Sequence, residues 1–405
     1  MSELDRRVLV GAVACAGATV GFLLWRNRQK QSRFEAEDLP SSPFVRANSM
    51  TNVLSLTSLQ NALATEQISE KKSVTVLVPA TSANMGSGFD TIGMAVDMWN
   101  EVKLTRSDVF SISVEGEGAD DVPRDESNLV VVGVKTVFEA IGVPMPTLQY
   151  HLTQRIPHGR GLGSSSAAIV GGLLAGLAIA GRKLDVKDSE ALLQLGLKIE
   201  GHPDNIAPAL YGGIQLGIYS ERHKRWKTSR VQIPHGFIFV IFIPAFTGKT
   251  ADLRRVVPKM VPMSDCVFNM GRLAWLLNGL LTNNIGALQD GFDDRLHQNQ
   301  RAAAVYPYLN PMIDAAYKAG ALGAYLSGSG PCVMAITSGG YGDFFTQCDR
   351  DHRKDRDVAA AMRNVAEGMG VKGKVYITHS AHTGGVVVAA DPPFSTSVVA
   401  FNGYT

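Results

Sequence analysis

The sequence has little cysteine and no excess of charge of one sign. Its four cysteines among 405 residues, Cys15, Cys266, Cys332 and Cys348, are scattered, with no CxxC pair and no metal-ligand spacing. This pattern argues against a cysteine-based metal site and predicts reduced thiols in an intracellular protein, with Cys332 close to the functional site because of its neighbours. The formal net charge of +2 gives no reason to expect nucleic acid as a partner. No internal repeat of solenoid period is visible.

What the chain does have is apolar material, at 45% hydrophobic against 19% charged residues. That balance is typical of a globular protein with a sizeable core and two lobes. Strands are predicted at residues 74–78, 102–105, 111–114, 147–156, 213–219, 237–243, 324–327, 332–337, 374–378 and 386–390. Helices are predicted at residues 128–141, with Asn128 as N-cap, and at 167–180, 188–199, 251–257, 267–281 and 357–367. Because strands and helices mix without strict βαβ alternation, the pattern favours an α+β fold over a doubly wound sheet.

The segment RIPHGRGLGSSSAA, residues 155–168, carries the strongest functional pattern and is called the phosphate loop below. Glycines let backbone N–H groups approach a ligand closely, and a helix N-terminus adds unpaired donors and the positive end of a dipole. Serine hydroxyls can reach a phosphate oxygen or a metal ion. The segment therefore predicts a phosphate cradle.

Other interpretations of the phosphate loop stay open at this point. It is not a Walker A loop, because no Lys follows its final glycine. It is also a poor dinucleotide fingerprint, since Asp185, which has roughly the required spacing, follows a helical run rather than ending a strand. A tight turn before a buried helix of small residues is the alternative without a ligand.

The N-terminal part carries an uncharged apolar run that begins at Val8 and ends at Trp25, with basic residues on both sides. Its length of about 18 residues falls at the lower edge of what a bilayer span needs. A membrane anchor, a cleaved secretory signal and an organelle-targeting segment compete, and an anchor or anchor-like targeting segment is favoured. The polar, Ser-rich stretch after it is typical of a flexible linker.

Three further motifs narrow the interpretation: VPATSANMGSGFDTIG at residues 78–93, EGHPDNIAPALYGG at 200–213 and GAYLSGSGP at 323–331. With the phosphate loop, they resemble the signature motifs of the small-molecule kinase superfamily that contains galactokinase, homoserine kinase, mevalonate kinase and phosphomevalonate kinase. Within that superfamily the first motif resembles the homoserine kinases. The resemblance extends over residues 72–390, in the same order.

The resemblance implies a two-lobed α+β fold, with an N-terminal lobe similar to the ribosomal protein S5 domain 2-like fold and a C-terminal ferredoxin-like α/β sandwich. It implies the transfer of a phosphoryl group from ATP, with Mg²⁺, to L-homoserine, giving O-phospho-L-homoserine for threonine biosynthesis. The expected organisation is an apolar segment at 1–30, a linker at 31–71, an ATP-binding lobe at 72–233, a second lobe at 234–391 and a tail at 392–405.

The same resemblance implies roles for single residues. Asn205 and Arg254 are the expected catalytic residues, with Asn205 contacting the substrate hydroxyl. The expected homoserine-binding residues are Asn84, Asp90, His202, Asn205, Arg254 and Arg301, where Asp90 pairs with the ammonium and the two arginines clamp the carboxylate. The expected ATP-binding residues are Pro157, His158, Gly159, Arg160, Gly161, Leu162, Gly163, Ser164, Ser165, Ser166 and Ala167, and the expected metal ligands are Glu200 with Ser164 or Ser165.

Each of these residues also has an interpretation without a ligand. Asp90 could be a turn residue, Asn205 a helix cap, and Arg254 and Arg301 exposed helix arginines, with Arg255 a competitor for the role of its neighbour. The identity of a general base stays open, because the resemblance does not support Asp204 in that role. Catalysis is expected to rest on positioning and electrostatic stabilisation.

Two rival functions remain: another small-molecule kinase of the superfamily, and a non-catalytic metabolite-binding regulator on the same fold. The arginine pair and Asp90 favour an amino acid substrate over mevalonate or a sugar. A homodimer, a cytoplasmic catalytic part and a membrane contact through the N-terminal apolar run are further expectations.

Overall fold

The computed structural model describes residues 69–182, 189–233, 236–248, 250–284, 286, 288–338 and 353–394. The strands are β1 Ser73–Ala83, β2 Ile92–Arg106, β3 Ser111–Gly116, β4 Leu148–Gln154, β5 Ile214–Ser220, β6 Arg225–Val231, β7 Phe237–Pro244, β8 Gly323–Leu326, β9 Val333–Ser338, β10 Gly373–Thr378 and β11 Val386–Asp391. The helices are α1 Leu129–Ile141, α2 Ser164–Ile179, α3 Ser189–Glu200, α4 Pro203–Tyr211, α5 Thr250–Arg255, α6 Met263–Leu281, α7 Leu288–Gly291, α8 Gln298–Ala304, α9 Leu309–Lys318 and α10 Asp355–Gly368.

The first lobe is built on a seven-stranded sheet in which β11, β1, β2, β4 and β3 lie side by side, while β5 pairs with β2 and β6 with β5. All of these pairings are antiparallel except that of β3 with β4. Along the first half of β1, buried residues alternate with half-buried ones. This alternation is what a strand with one face against a core requires.

Helix α2 lies in the core of the first lobe, and its burial fixes the position of the phosphate loop that precedes it. From Ser166 to Ile179 nearly every residue of the helix is buried, which explains its run of alanine, glycine and leucine. It crosses α1 closely, because a Cβ added at Gly172 would lie 2.2 Å from the carbonyl oxygen of Val130. The N-terminus of α2 is thereby held at the end of β4.

The second lobe is a four-stranded antiparallel sheet in the order β10, β7, β9, β8. Helices α9 and α10 cover it, and Met312 and Met362 belong to one buried cluster with Val240 and Phe242 of β7. Two lobes of mixed strand and helix confirm the predicted α+β class.

The predicted boundary between the lobes differs from the sheet topology at one place. The second lobe was expected to continue to residue 391, whereas Val386–Asp391 pairs with β1 in the first sheet. The chain therefore returns to the first lobe after β10, where β11 covers an edge of β1 that would otherwise be unpaired.

The predicted elements were found with shifted ends, and several were missed. The strand expected at 102–105 is the end of the 15-residue β2, which begins at Ile92. Missed were β6, α4, α7, α8 and α9. β6 and α8 are short and polar, without an apolar period to indicate them.

The apolar run from Val8 to Trp25 and the linker after it lie outside the described residues, as do Cys15, Cys348 and Asp185. Among the helices that are described, none combines the length and apolar character of a membrane span. Cys266 and Cys332 are free thiols, and the backbone N–H of Cys332 donates to the carbonyl of Arg160 in the phosphate loop at 3.2 Å. The predicted closeness of Cys332 to the site is confirmed.

Candidate active site

The phosphate loop connects β4 to α2, and the helix begins at Ser164 rather than at residue 167 as predicted. The three serines therefore form the first turn of the helix. Since the first backbone N–H groups of a helix have no acceptor within it, this turn presents both amide donors and hydroxyl groups. A segment of this kind is suited to bind an anion.

Two glycines hold the phosphate loop against its neighbours. Gly163 has a φ of 67°, and a Cβ there would lie 1.8 Å from Thr81 Oγ1. Gly161 has a φ of 77°, and a Cβ there would lie 2.2 Å from the carbonyl oxygen of Ser327. The Ser327 hydroxyl also donates to the carbonyl of Gly161 at 2.6 Å. The third motif thus packs directly beside the loop.

One serine of the phosphate loop lies next to the predicted acidic metal ligand. Ser165 Oγ donates to Glu200 Oε1 at 3.2 Å, whereas Ser164 Oγ accepts from the N–H of Gly159 at 3.5 Å. Burial raises the pKa of Glu200, against the lowering effects of His202 and Ser165. A hydroxyl and a half-buried carboxylate are hard oxygen donors, the kind that Mg²⁺ takes together with phosphate oxygens.

Asn205 lies in the first turn of α4, where the N-cap residue is His202 rather than Asn205. The Thr81 hydroxyl donates to Asn205 Oδ1 at 2.7 Å. This contact orients the amide, and within the described residues Nδ2 forms no hydrogen bond. The amide N–H₂ is therefore left to donate to a ligand.

His202 and Asp204 form a pair at the start of α4. Their side chains meet at 2.7 Å between Nδ1 and Oδ1. Burial alone would lower the pKa of His202, but Asp204, together with Asp90 and Glu200, outweighs it and raises the pKa to about 9. Since its carboxylate is engaged by a charged imidazole, Asp204 is poorly placed to accept a substrate proton.

Asp90 and Arg254, predicted to bind opposite ends of the substrate, are bound to each other. The guanidinium donates from Nη1 and Nη2 to the two carboxylate oxygens, each at 2.8 Å. Asp90 is 7% exposed and Arg254 39% exposed. Burial opposes the charge on Arg254, but Asp90 raises its pKa, so the guanidinium stays charged. Arg255 instead pairs with Asp252 at the surface and is 80% exposed, which excludes it from the cavity.

The loop 84–91 between β1 and β2 holds Asp90 in place. Asn84 and Asp90 have φ angles of 70° and 55°, in the left-handed region that Asn and Asp tolerate better than most residues. Asn84 Oδ1 accepts from the N–H of Asp90 at 2.9 Å, and Asn84 Nδ2 donates to the carbonyl of Gly328 at 2.9 Å. Asn84 thus fixes the backbone of Asp90 and connects this loop to the third motif.

Arg301 is buried on α8 and reaches the same end of the cavity. Its guanidinium donates to the carbonyls of Leu253 and Gly328, at 3.4 and 3.2 Å, and to His297 Nδ1 at 3.0 Å. Burial lowers the pKa of Arg301 to about 10, so the group remains a cation near neutral pH.

A single cavity of about 440 Å³ is lined by most of the predicted site residues. They are Asn84, Asp90, His158, Gly159, Arg160, Gly161, Gly163, Ser164, Ser165, Glu200, His202, Asn205, Arg254 and Arg301. Leu162, Ser166 and Ala167 are buried beneath the phosphate loop and do not line it. Pro157 lies on the wall of a separate, open cavity of about 800 Å³.

Several residues around the cavity were given no role from the sequence. Thr81 and Ser327 stand inside quoted motifs, and their contacts with Asn205 and Gly161 follow only from the fold. Asp121, Thr247 and Gly248 also line the cavity, and no motif indicated them.

Comparison with known proteins gives two family matches along the chain. The model described as GHMP kinases N terminal domain matches residues 128–213, and the model described as GHMP kinases C terminal matches residues 276–368. The phosphate loop lies within the first match, and Arg301 and the third motif within the second.

The chain is also similar to curated and solved relatives over most of its length. It is 39% identical to the homoserine kinase of Desulfitobacterium hafniense over 78% of this chain and 100% of the relative. It is 38% identical to that of Carboxydothermus hydrogenoformans over 77% of this chain and 96% of the relative. The crystal structure of homoserine kinase from Cytophaga hutchinsonii superposes with a TM-score of 0.67 at 30% identity, covering 79% of this chain and 98% of that one.

Proposed function

The chain belongs to the homoserine kinase family of GHMP kinases, and from that premise we propose that it transfers the γ-phosphoryl group of ATP to the side-chain hydroxyl of L-homoserine. The hydroxyl oxygen forms a bond to the γ-phosphorus while the bond to the β–γ bridging oxygen breaks. The products are O-phospho-L-homoserine, ADP and a proton, and the reaction belongs to threonine biosynthesis.

The observation that supports this proposal is that groups suited to bind phosphate and groups suited to bind an amino acid line the same cavity. The phosphate loop, Ser165 and Glu200 line one part of it, and the Asp90–Arg254 pair with Arg301 lines another. Homoserine is a zwitterion. Its ammonium group can pair with the carboxylate of Asp90, and its carboxylate can pair with the guanidinium of Arg254, so that positive and negative charges alternate. Neither mevalonate nor a sugar offers a positive group for Asp90.

Asn205 is the residue we assign to the reacting hydroxyl. It stands within the motif that follows Glu200, and Thr81 orients its amide so that Nδ2 can donate to the hydroxyl oxygen. Arg254, the other residue that we class as catalytic, fixes the amino acid so that this oxygen meets the γ-phosphate. Catalysis then rests on positioning and on the electrostatic stabilisation of phosphate charge.

We assign ATP to the phosphate loop, residues 157–167. The residues of the loop that line the cavity supply direct contacts, whereas the buried Leu162, Ser166 and Ala167 support its shape.

Mg²⁺ fits the donor set of the same region. Ser165 and Glu200 offer one hydroxyl and one carboxylate, and phosphate oxygens complete such a site in kinases. When bound, Mg²⁺ neutralises negative charge between the β- and γ-phosphates. Glu200 and Ser165 would hold it, and the first turn of α2 would orient the phosphates.

Release of ADP from the full-length chain tests the function, with homoserine, mevalonate, galactose and shikimate offered in turn. We expect turnover with homoserine alone. Turnover with one of the others and none with homoserine would replace this function by that of another kinase of the superfamily. ATP binding without turnover of any acceptor would favour the non-catalytic regulator.

We further propose a homodimer that uses the outer face of α6. Met263, Val267, Met270 and Trp275 are exposed along it, with Met270 at 62% exposure. Monomeric soluble proteins rarely expose large contiguous apolar patches, and such patches often mark interaction surfaces. Gly271 has open space where a Cβ would stand, so a second copy of the helix could approach closely. Light scattering should report a dimer for the native chain and a monomer for Met270→Asp.

For the N-terminal part we propose that the run from Val8 to Trp25 tethers a cytoplasmic kinase to a membrane or directs it to an organelle. Its uncharged length and flanking basic residues support this. Microscopy of a tagged full-length chain separates these outcomes, and an even cytoplasmic signal would contradict both.

A further inference from the structure

His297 lies behind the charged end of the cavity and contacts both structures that form it. The side chain is fully buried. Its Nδ1 meets Arg301 Nη1 at 3.0 Å, and its Nε2 meets the carbonyl oxygen of Gly86 at 2.8 Å. Gly86 belongs to the loop 84–91, which also carries Asp90. One imidazole therefore joins the buried arginine to the loop that carries the acidic group.

The chemistry of these two partners determines the tautomer of His297. A carbonyl only accepts, so Nε2 must carry a proton, and a guanidinium only donates, so Nδ1 must be free of one. Burial lowers the pKa of His297, although Asp294, whose Oδ2 lies 3.7 Å from Nε2, acts in the opposite direction. In this tautomer each ring nitrogen makes one hydrogen bond of the correct polarity.

The contact with His297 also limits what Arg301 can do. Nη1 donates to His297 and to Gly328, and Nε donates to Leu253. Within the described residues, Nη2 makes no hydrogen bond. The guanidinium is thus held by three hydrogen bonds, each donated to a different acceptor, and the Nη2 amino group is left for a ligand of the cavity.

Phe89 completes the unit. Its ring stacks on His297 with centroids 5.0 Å apart and planes inclined by 22°. The guanidinium carbons of Arg254 and Arg301 each lie 5.7 Å from its centroid. A rotation of the imidazole would therefore disturb Phe89 as well as the arginine that it orients.

We propose that His297 is a positioning residue for substrate recognition: it orients the Arg301 guanidinium toward the substrate carboxylate and ties that guanidinium to the loop that carries Asp90. It touches neither substrate nor ATP. The proposal rests on the proposed function, in which Arg301 binds the carboxylate of homoserine. It extends that function because the buried His297 ring would fix the distance between the group that binds the substrate carboxylate and the group that binds the ammonium.

Two substitutions separate the two contacts of the ring. His297→Asn places an oxygen near the position of Nδ1 and keeps the acceptor for Arg301, whereas His297→Gln places an N–H near Nε2 and keeps the bond to Gly86. Loss of a hydrogen bond to a charged group changes affinity by about 10–150-fold. We expect His297→Gln to raise the KM for homoserine by about that factor. His297→Asn should raise it several-fold at most, and the KM for ATP should change less than about threefold in both variants.

Two competitive inhibitors distinguish a positioning role from a purely structural one, because a general loss of structure would weaken inhibition by both compounds equally. L-2-aminobutyrate has the ammonium and the carboxylate of homoserine, whereas propan-1-amine lacks the carboxylate, and neither carries the hydroxyl that accepts the phosphoryl group. His297→Gln should weaken inhibition by L-2-aminobutyrate about as much as it raises the homoserine KM, and should leave inhibition by propan-1-amine nearly unchanged. Equal weakening of both inhibitors, or equal effects of the Asn and Gln variants, would overturn the proposal.

The native chain is assayed first, so that the two levels of inference fail separately. Absence of homoserine turnover in the native chain contradicts the proposed function, whereas turnover without the predicted ranking of variants contradicts only the role of His297. Should His297→Gln not fold, His297→Leu, which has a similar volume and also removes the acceptor for Arg301, is compared in the native and Arg301→Lys backgrounds. Its effect on the homoserine KM should shrink in the Lys background, because Lys lacks Nη1, and full additivity would contradict the coupling.

Discussion

The phosphate loop is one contiguous segment between β4 and α2, whereas the charged end of the cavity takes its side chains from distant parts of the chain. Asp90 and Arg254, which share two hydrogen bonds, stand 164 positions apart. The loop offers mainly backbone N–H groups and hydroxyls, and the charged end offers ionic side chains. A local segment of this kind is suited to bind phosphate, and we expect the choice of acceptor to depend on the distant side chains.

The largest effect is expected where the two regions meet, at Asn205. Asn205→Ala should lower kcat by about 10²–10³-fold, the range seen when one transition-state donor is removed. ATP should still bind, because the phosphate loop is unchanged. Turnover and the affinity of a nucleotide analogue, measured on the same preparation, check this, and near-normal kcat would contradict the role of Asn205.

At the charged end, Arg254→Gln should raise the KM for homoserine by about 10–150-fold, because the substrate carboxylate and Asp90 both lose a charged donor. Arg255→Gln is the matched control, since that neighbour is exposed and pairs with Asp252 at the surface. Steady-state kinetics with homoserine varied at saturating ATP measures the difference. Equal effects in the two variants would show that the pair with Asp90 does not recognise the substrate.

On the phosphate side, Glu200→Gln should raise the Mg²⁺ concentration needed for half-maximal turnover by at least about tenfold, the lower bound for changes near a metal. The homoserine KM should hardly change. Glu221→Gln serves as control, because Glu221 is an exposed partner of Lys224. A Mg²⁺ dependence that is the same for all three chains would exclude Glu200 as a ligand.

A smaller effect is expected in the backbone of the phosphate loop. Gly163→Ala adds a Cβ in a left-handed conformation and in contact with Thr81, whereas Gly370→Ala adds one at a φ of 69° with nothing within 4 Å. Both should lose about 1–2 kcal/mol of unfolding free energy from the backbone conformation. Gly163→Ala should lose more, because its Cβ would lie 1.8 Å from Thr81 Oγ1. Only Gly163→Ala should also raise the KM for ATP, by several-fold, as measured by initial rates.

The predictions from sequence succeeded where interactions within a short segment determine its structure. Asn128 was predicted as a cap because its side chain can accept from the helix backbone, and it accepts from the N–H of Val130. Helix α8 was missed, because its seven polar and small residues have no apolar period. It is stabilised from outside its own sequence by Asp294, which accepts from the backbone N–H groups of His297 and Gln298.

The sequence by itself determined the α+β class, the phosphate loop and the resemblance to small-molecule kinases, because glycine, serine and apolar spacing act over a few neighbouring residues. Only the tertiary structure decided which of two serines lies beside Glu200, which of two arginines enters the cavity, and that Asp90 pairs with Arg254. It also revealed the contact of His297 with Arg301 and Gly86. These outcomes depend on side chains that come into contact only when distant segments of the chain fold together, and a local sequence pattern does not predict such contacts.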